Sequence, residues 1–372
     1  MGRTKPGSAR SYFRPPREHA MMEERQRLKP VVTWLLTGCV MIALMVVIGG
    51  ITRLTGSGLS ITEWDPIMGA LPPLSEEAWH AAFEKYKRIP EYQLVNSHMQ
   101  LADFKEIFFW EWAHRNWGRL MGLVFVIPFV LFWRKGLLKG WLMRRALFIM
   151  AGGGIVASLG WFMVMSGLVD LRDANGLLLV DVSHFRLAIH LCAAFTVFGM
   201  VLWTVFDIRA GKRGLLSDGS TAGAWARALL VLLAVQVAWG AFTAGLGAGR
   251  IHNTWPLMDG AFIAEGAFHA GEWLSGITEH KAGVQFVHRN LAWLVAIGFI
   301  GFSWRFRSTP GMPWRLLIAA VAVQFTLGVL TILTQVHITL GVLHQFGALA
   351  LLAALLKAMH ATGQVAERFP AR

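Results

Sequence analysis

Apolar residues fall in eight long runs, at about 31–51, 114–134, 146–168, 184–206, 225–247, 286–304, 314–334 and 338–360, separated by polar stretches. A helix crosses a bilayer with roughly 20 mostly apolar residues, so the pattern predicts eight membrane-spanning helices. An even number returns the chain to the side on which it began. The connections alternate in character. Basic residues collect before the first run (Arg3, Lys5, Arg10, Arg14, Arg17, Arg25, Arg27, Lys29) and in the connections 134–145, 207–224 and 305–315. The longer connections 52–113 and 248–283 are rich in carboxylates instead. Lysine and arginine are retained on the inner side of a membrane, which predicts both termini inside.

Composition sharpens this picture. Of 372 residues, 55% are hydrophobic and only 15% charged, and the mean hydropathy of +0.49 is too high for a soluble globule of this length. The net charge of +13 would suit nucleic acid, but the basic residues are dispersed in short inner loops. There they face anionic headgroups of the lipid bilayer, and nucleic acid is excluded as a partner. Tryptophans bracket the runs (Trp110, Trp112, Trp133, Trp203, Trp225, Trp304, Trp314), as interfacial anchors do. Residues 1–30 are basic, contain Pro15 and Pro16 and lack an apolar core, so they read as a disordered inner tail and not a cleavable signal. Cys39 and Cys192 fall at different depths, too far apart for a disulfide, and read as packing residues.

The Gly- and Ser-containing linker 207–224 divides the chain into two halves, 31–206 and 225–360, with a short inner tail at 361–372. The halves repeat one order of features. EWAHRNWGRL opens the second run and VQFVHRNLAW the sixth; VVIGGITRLTGSG closes the first and VAWGAFTAGLGAG the fifth; LGWFMVMSGLV and LGVLTILTQVH lie in the third and seventh. Four helices per half leave both repeats starting on the same side, so the predicted fold is all-α and integral to the membrane, with two parallel four-helix bundles. Gly49, Gly50, Gly152, Gly153, Gly154, Gly160, Gly240 and Gly328 are expected to let helices approach closely. GSGLS at 56–60 lacks the Gly-Lys-Ser/Thr of a phosphate loop and is discarded as one.

Ionisable side chains within a span are costly and mark function. His114, His190, His288 and His344 all fall in the outer part of an even-numbered run. Paired imidazoles on facing helices suit a transition metal or the iron of a haem. The residues one turn on are small enough for a flat macrocycle: Gly118, Ala194, Ala292, and Gly347 with Ala348. Arg115, Arg119 and Arg289 are candidates for propionate contacts. Glu111 shares a helix face with His114, whereas Gln285 stands in its place before His288. A carboxylate passes protons or stabilises a cation and an amide only hydrogen-bonds, so the N-terminal half is the expected place of chemistry. His184 and His337 lie at run ends, His252, His269 and His280 in a polar connection, and His19, His80, His98 and His360 receive no role.

GGITRLTGSGLSITEWDPIMGALPPLSEEAW, EYQLVNSHMQLADFKEIFFWEWAHRNWGR and VQFVHRNLAW resemble the haem A synthase family, and the likeness runs from about 30 to 360. The chain resembles the alphaproteobacterial and mitochondrial subtype, since no cysteine pair occurs between 52 and 113. The resemblance implies that His288 and His344 hold a haem b iron, that His114 and His190 receive haem O, and that Glu111 is catalytic. It implies two successive oxygenations of one porphyrin methyl, giving a geminal diol that loses water to a formyl. Dioxygen or water is the implied oxygen source, an electron donor is required, and haem O synthase and cytochrome oxidase assembly factors are the implied partners. The alternative reading from the residues alone is a di-haem b-type, quinol-linked electron carrier that leaves its haem unmodified. A transporter is a third, without the interrupted helix pair it needs. The acidic Glu18, Glu23 and Glu24 make the tail a poor transit peptide, which favours a bacterial plasma (inner) membrane over the mitochondrial one.

Overall fold

The computed structural model describes residues 23–65, 68–168, 180–211, 220–268 and 271–366. Residues 1–22, residues 212–219 of the linker 207–224 and the end of the tail 361–372 lie outside them, as do His19 and His269. Among the described residues the fold is all-helical. Its eight long helices are α1 (Lys29–Leu54), α2 (Leu101–Arg134), α3 (Gly140–Leu168), α4 (His184–Ala210), α5 (Thr221–Gly245), α6 (Lys281–Arg305), α7 (Trp314–Leu333) and α8 (Ile338–Ala366). Each contains a window long and apolar enough to cross a membrane.

Helix ends follow local chemistry. Pro30 sits in the first turn of α1, where no backbone N–H is needed. Ser220 caps α5 by accepting from the Gly223 N–H, and α4 ends on Gly211 with φ +69°. The largest departure from the apolar pattern is α2, which begins at Leu101 and not near 114. Hydropathy misses these turns because Asp103, Lys105 and Glu106 interrupt them. A capping box between Gln100 and Asp103 starts the helix. Phe104, Ile107, Phe108 and Glu111 then form one buried stripe at helical spacing. EWAHRNWGRL is therefore the interior of a helix and not its beginning.

Those first turns of α2 stand beyond the end of α1, and the connection between the two helices folds over them. Leu59, Phe83, Tyr86 and Ile89 pack with Phe104, Ile107 and Phe108 in an aromatic cluster. Tyr86 and Phe104 are fully buried there. A short helix, Glu76–Tyr86, supplies Phe83 and Tyr86 and is capped by Ser75.

The long helices pack as two closed rings. In one, α1 packs on α2, α2 on α3, α3 on α4 and α4 on α1; in the other, α5, α6, α7 and α8 follow the same order. The rings meet through α4 with α5, α8 with α1, and α8 with α4. Central helices are accordingly the most enclosed: 39% of the apolar window is buried in α1 and in α4, against 6% in α2 and in α3. The outer faces expose Leu123, Ile127, Phe148, Ile155, Ile297 and Val323, side chains that a bilayer solvates. Arg53 ties the rings by donating to the Ala244 and Gly245 carbonyls at the end of α5 (3.1 and 3.0 Å). At the opposite end Asp207 of α4 accepts from His360 of α8 (3.1 Å) and faces Arg145 of α3 (3.7 Å). His360 thus has a structural place that its sequence position did not signal.

Glycine sets the closest approaches. A Cβ on Gly283 of α6 would fall 2.1 Å from the Gly276 carbonyl oxygen and 2.6 Å from that of Ala267. Both are main-chain atoms that move only with their segment. Gly283→Ala is expected to destabilise the protein by about 1–3 kcal/mol, as overpacking does. Gly153→Ala, which meets nothing within 4 Å, serves as control. Thermal unfolding in detergent checks both, and an unchanged Tm for Gly283→Ala would show that the 267–276 segment yields.

Candidate functional site

His114, His190, His288 and His344 each lay an imidazole against a glycine of the preceding helix: Gly49 of α1, Gly160 of α3, Gly240 of α5 and Gly328 of α7. A Cβ at these glycines would stand 3.2, 3.0, 3.0 and 2.9 Å from the facing Cε1. In all four the next atom is Nδ1, and Nε2 is the farthest of the three at 3.9, 3.8, 3.8 and 3.7 Å. The four rings therefore enter in one orientation, Cε1 first, with Nδ1 slightly the nearer of the two nitrogens to the glycine. The sequence pattern assigned these glycines to helix packing alone. Their matching positions in the repeated stretches, Gly49 with Gly240 and Gly160 with Gly328, were the available signal.

A glycine also opens the carbonyl one turn before it to a side-chain donor. Val156 precedes Gly160 by one turn, and its carbonyl oxygen lies 3.1 Å from His190 Nδ1. The rings of His288 and His344 face the main chain of Gln236 and Gln324, again one turn before their glycines. His288 Nδ1 does so without reaching hydrogen-bond geometry. An imidazole whose Nδ1–H faces a carbonyl presents Nε2 as its metal-binding nitrogen.

The histidine-bearing helices occupy diagonals of their rings: α2 faces α4 and α6 faces α8 across the bundle, without the packing that joins ring neighbours. The His288 and His344 rings have centres 6.3 Å apart and planes at 87°. Two imidazoles on opposite sides of one ion, each bound at about 2 Å, place their ring centres roughly 6 Å apart. His114 and His190 face each other closely enough to interact electrostatically. Each diagonal thus brings two imidazoles together from facing helices, the arrangement that a pair of ligands to one metal ion would use.

The polar residues around His114 hold the roof. Glu111, 3% exposed, accepts from Ser60 Oγ (2.8 Å) and the Ile61 N–H (2.6 Å), and pairs with Arg115. Arg115 also donates to the carbonyls of Ile61 and Glu63 (2.6 and 2.7 Å). Arg119 donates to the Asp65 carbonyl and to Asn116 Oδ1 (2.7 and 3.1 Å). Trp112 and Asn116 both donate to the Ala70 carbonyl at 3.1 Å. In the other ring Gln285 donates to the His252 carbonyl (3.0 Å), and Arg289 to those of Thr254, Pro256 and Leu257 (2.8, 3.1 and 3.1 Å). The three arginines thus clamp the connection that follows the neighbouring helix of their ring, while Arg289 keeps a buried Nη1 without a partner. Ser60 and Ile61, as partners of Glu111, were not legible from spacing. His184 is engaged elsewhere, its Nε2 lying 2.9 Å from the Thr278 carbonyl oxygen, and His252 pairs with Asp259.

Residues 32–356 match the family model described as cytochrome oxidase assembly protein (COX15-CtaA). The chain belongs to this family. It is 44% identical over 341 residues to the heme A synthase of Flavobacterium johnsoniae, covering 89% of this chain and 97% of that protein. It is 43% identical over 338 residues to the heme A synthase of Maricaulis maris, with 89% and 95% covered. A third relative, the heme A synthase of Parvibaculum lavamentivorans, is 43% identical over 337 residues, with 90% and 94% covered. In this family member the matched region spans all four His–Gly pairs and the roof over Glu111.

The roof carries one further titrating group. Glu91, between α1 and α2, is partly buried, accepts from the Tyr86 hydroxyl (3.4 Å), and faces Asp181, Glu111 and Arg53. Burial pushes its carboxyl up to about 8, and the Asp181 charge adds to the rise. A carboxyl raised above its unfolded value favours the folded state while protonated. That contribution is full below the ordinary carboxylate range and is lost as pH rises through about 8. Stability is therefore expected to fall over this window, and Glu91→Gln to flatten the fall; Tm measured against pH checks it, and equal slopes would place the carboxylate in solvent.

Proposed function

We propose that this chain is a haem A synthase, an integral membrane oxidoreductase that takes haem O as substrate and oxidises one of its methyl groups to a formyl in two successive oxygenations. The observation that carries this reading is similarity over nine-tenths of the chain to proteins of that name, together with two diagonal histidine pairs. In our reading His114 and His190 receive haem O, and His288 and His344 hold a resident haem b. The 6.3 Å spacing of the His288 and His344 rings fits the resident group. When bound, haem supplies one-electron and oxygen chemistry that no side chain provides.

The protein's own residues supply position and charge. The glycines hold each imidazole edge-on at a fixed depth. Glu111, one turn from His114 and enclosed by Ser60, Ile61 and Arg115, places a carboxylate beside the substrate site, where it takes up protons or stabilises positive charge at the methyl being oxidised. Gln285 occupies the matching position in the other ring and lacks that capacity. Dioxygen or water supplies the oxygen and a separate partner exchanges electrons; His288 and His344 would hold the haem that supplies the one-electron relay between them. Arg115, Arg119 and Arg289 hold the roof, and the free Nη1 of Arg289 is the donor among them best able to meet a propionate. The two rings act as substrate and prosthetic halves of a bacterial plasma membrane protein with both termini on the basic inner side.

Expression in cells supplied with haem O, followed by mass analysis of extracted haems, tests the activity: a formyl-bearing product supports it. Unmodified haem alone would favour a di-haem electron carrier. Glu111→Gln is expected to lower product by about 100-fold or more, in the range of lost acid–base groups, and a normal yield would remove Glu111 from the chemistry. His288→Ala and Gly328→Val are each expected to cost the purified protein its resident haem b, although the second replaces no ligand and acts by displacing the His344 ring.

A further inference from the structure

One turn before each histidine-facing glycine, the two rings differ. Gln236 precedes Gly240 and Gln324 precedes Gly328, whereas Met45 precedes Gly49 and Val156 precedes Gly160. Gln324 Nε2 donates to the main-chain carbonyl of His344 at 3.0 Å and lies 3.2 Å from its Nδ1. Gln236 Nε2 donates to the main-chain carbonyl of His288 at 3.2 Å. The Gln324 amide needs Gly347, where a Cβ would fall 2.1 Å from Oε1. Both amide Oε1 atoms, and His288 Nδ1, are buried without a partner. Each amide therefore holds the main chain of its histidine, while the imidazoles face the backbone of Gln236 and Gln324. The other ring offers nothing equivalent. Met45 reaches Gly118 with its methyl, 3.5 Å from a Cβ position there, and Val156 has no polar side-chain atom.

We propose that Gln236 and Gln324 are positioning residues that clamp the α6 and α8 histidines so that this pair retains its haem. Met45 and Val156, lacking the amide, leave the α2 and α4 pair free to take up a haem and let it go. A synthase needs this division, because a product must leave after each cycle and a relay must stay. The inference rests on the reading that His288 and His344 hold a resident haem. Each amide ties the histidine's own peptide to the neighbouring helix, so the two helices cannot part at the ligand unless that bond breaks. Loss of one such bond in a membrane interior speeds escape by roughly five- to tenfold.

The test uses the haem-loaded full chain in detergent, mixed with excess apomyoglobin, and follows haem transfer by absorbance. In the double variant Gln236→Met with Gln324→Val, the resident haem is expected to leave about tenfold faster or more, with a shifted midpoint potential and an unchanged six-coordinate spectrum before transfer. In the reciprocal variant Met45→Gln, haem at the α2 and α4 site is expected to be held several-fold longer, a gain that general destabilisation does not produce. Unchanged transfer rates in both variants would overturn the inference. If His288→Ala retains the same resident haem as the unaltered chain, the earlier reading fails first. If resident haem requires His288 but leaves the double variant at the original rate, only the role of the two glutamines fails.

Discussion

The structure depends on one contact made four times: an imidazole pressed edge-on against a neighbouring helix at a residue without a side chain. Any Cβ at Gly49, Gly160, Gly240 or Gly328 would stand within 3.2 Å of the ring. At His190 the same omission exposes the Val156 carbonyl one turn away, which orients the ring through Nδ1. There one small residue sets both the depth of the ring and the partner of its Nδ1. In a bilayer core, where water is absent and a polar ring needs a partner, the two requirements are difficult to meet separately. The ring packing of the helices follows from it, since each histidine helix must sit beside its glycine helix and across a diagonal from its counterpart.

A second consequence concerns the roof. The charged residues of EWAHRNWGRL do not form a headgroup belt. Glu111, Trp112, Arg115, Asn116 and Arg119 bind main-chain groups of the segment 60–70 and hold it against α2. Arg289 does the same work for 254–257 in the other ring. The donors that a propionate would use are largely occupied by carbonyls, so the guanidiniums act on the site by fixing its lid. The carboxylate Glu111 is what the N-terminal ring has in addition. Its three donors keep it in one place at one turn from His114, and fixed charge beside a reacting group is the most effective form of electrostatic assistance.

The two rings share a frame and differ at a few positions within it: Glu111 against Gln285, Met45 against Gln236, Val156 against Gln324. All three exchange hydrogen-bonding capacity next to a histidine while leaving the helix packing intact. A duplicated scaffold separates two tasks in this way without a new fold, because the glycine contact that holds the ring is independent of the group that tunes it.

The amino-acid sequence alone determined the all-helical membrane class, the number of long helices, the four histidines and the Glu111/Gln285 difference. Hydropathy reads bilayer burial directly, since an apolar run of bilayer length has few other stable outcomes. It failed at the first turns of α2, where burial comes from the aromatic cluster of Leu59, Phe83 and Tyr86 and not from lipid. A pattern confined to one helix cannot register a partner some 20 or more residues away. Only the tertiary structure decided which glycine serves which histidine, that Ser60 and Ile61 hold Glu111, and that the arginines spend their donors on loop carbonyls. Those contacts join residues distant along the chain, and their reach depends on how two helices are set against each other, which local composition does not encode.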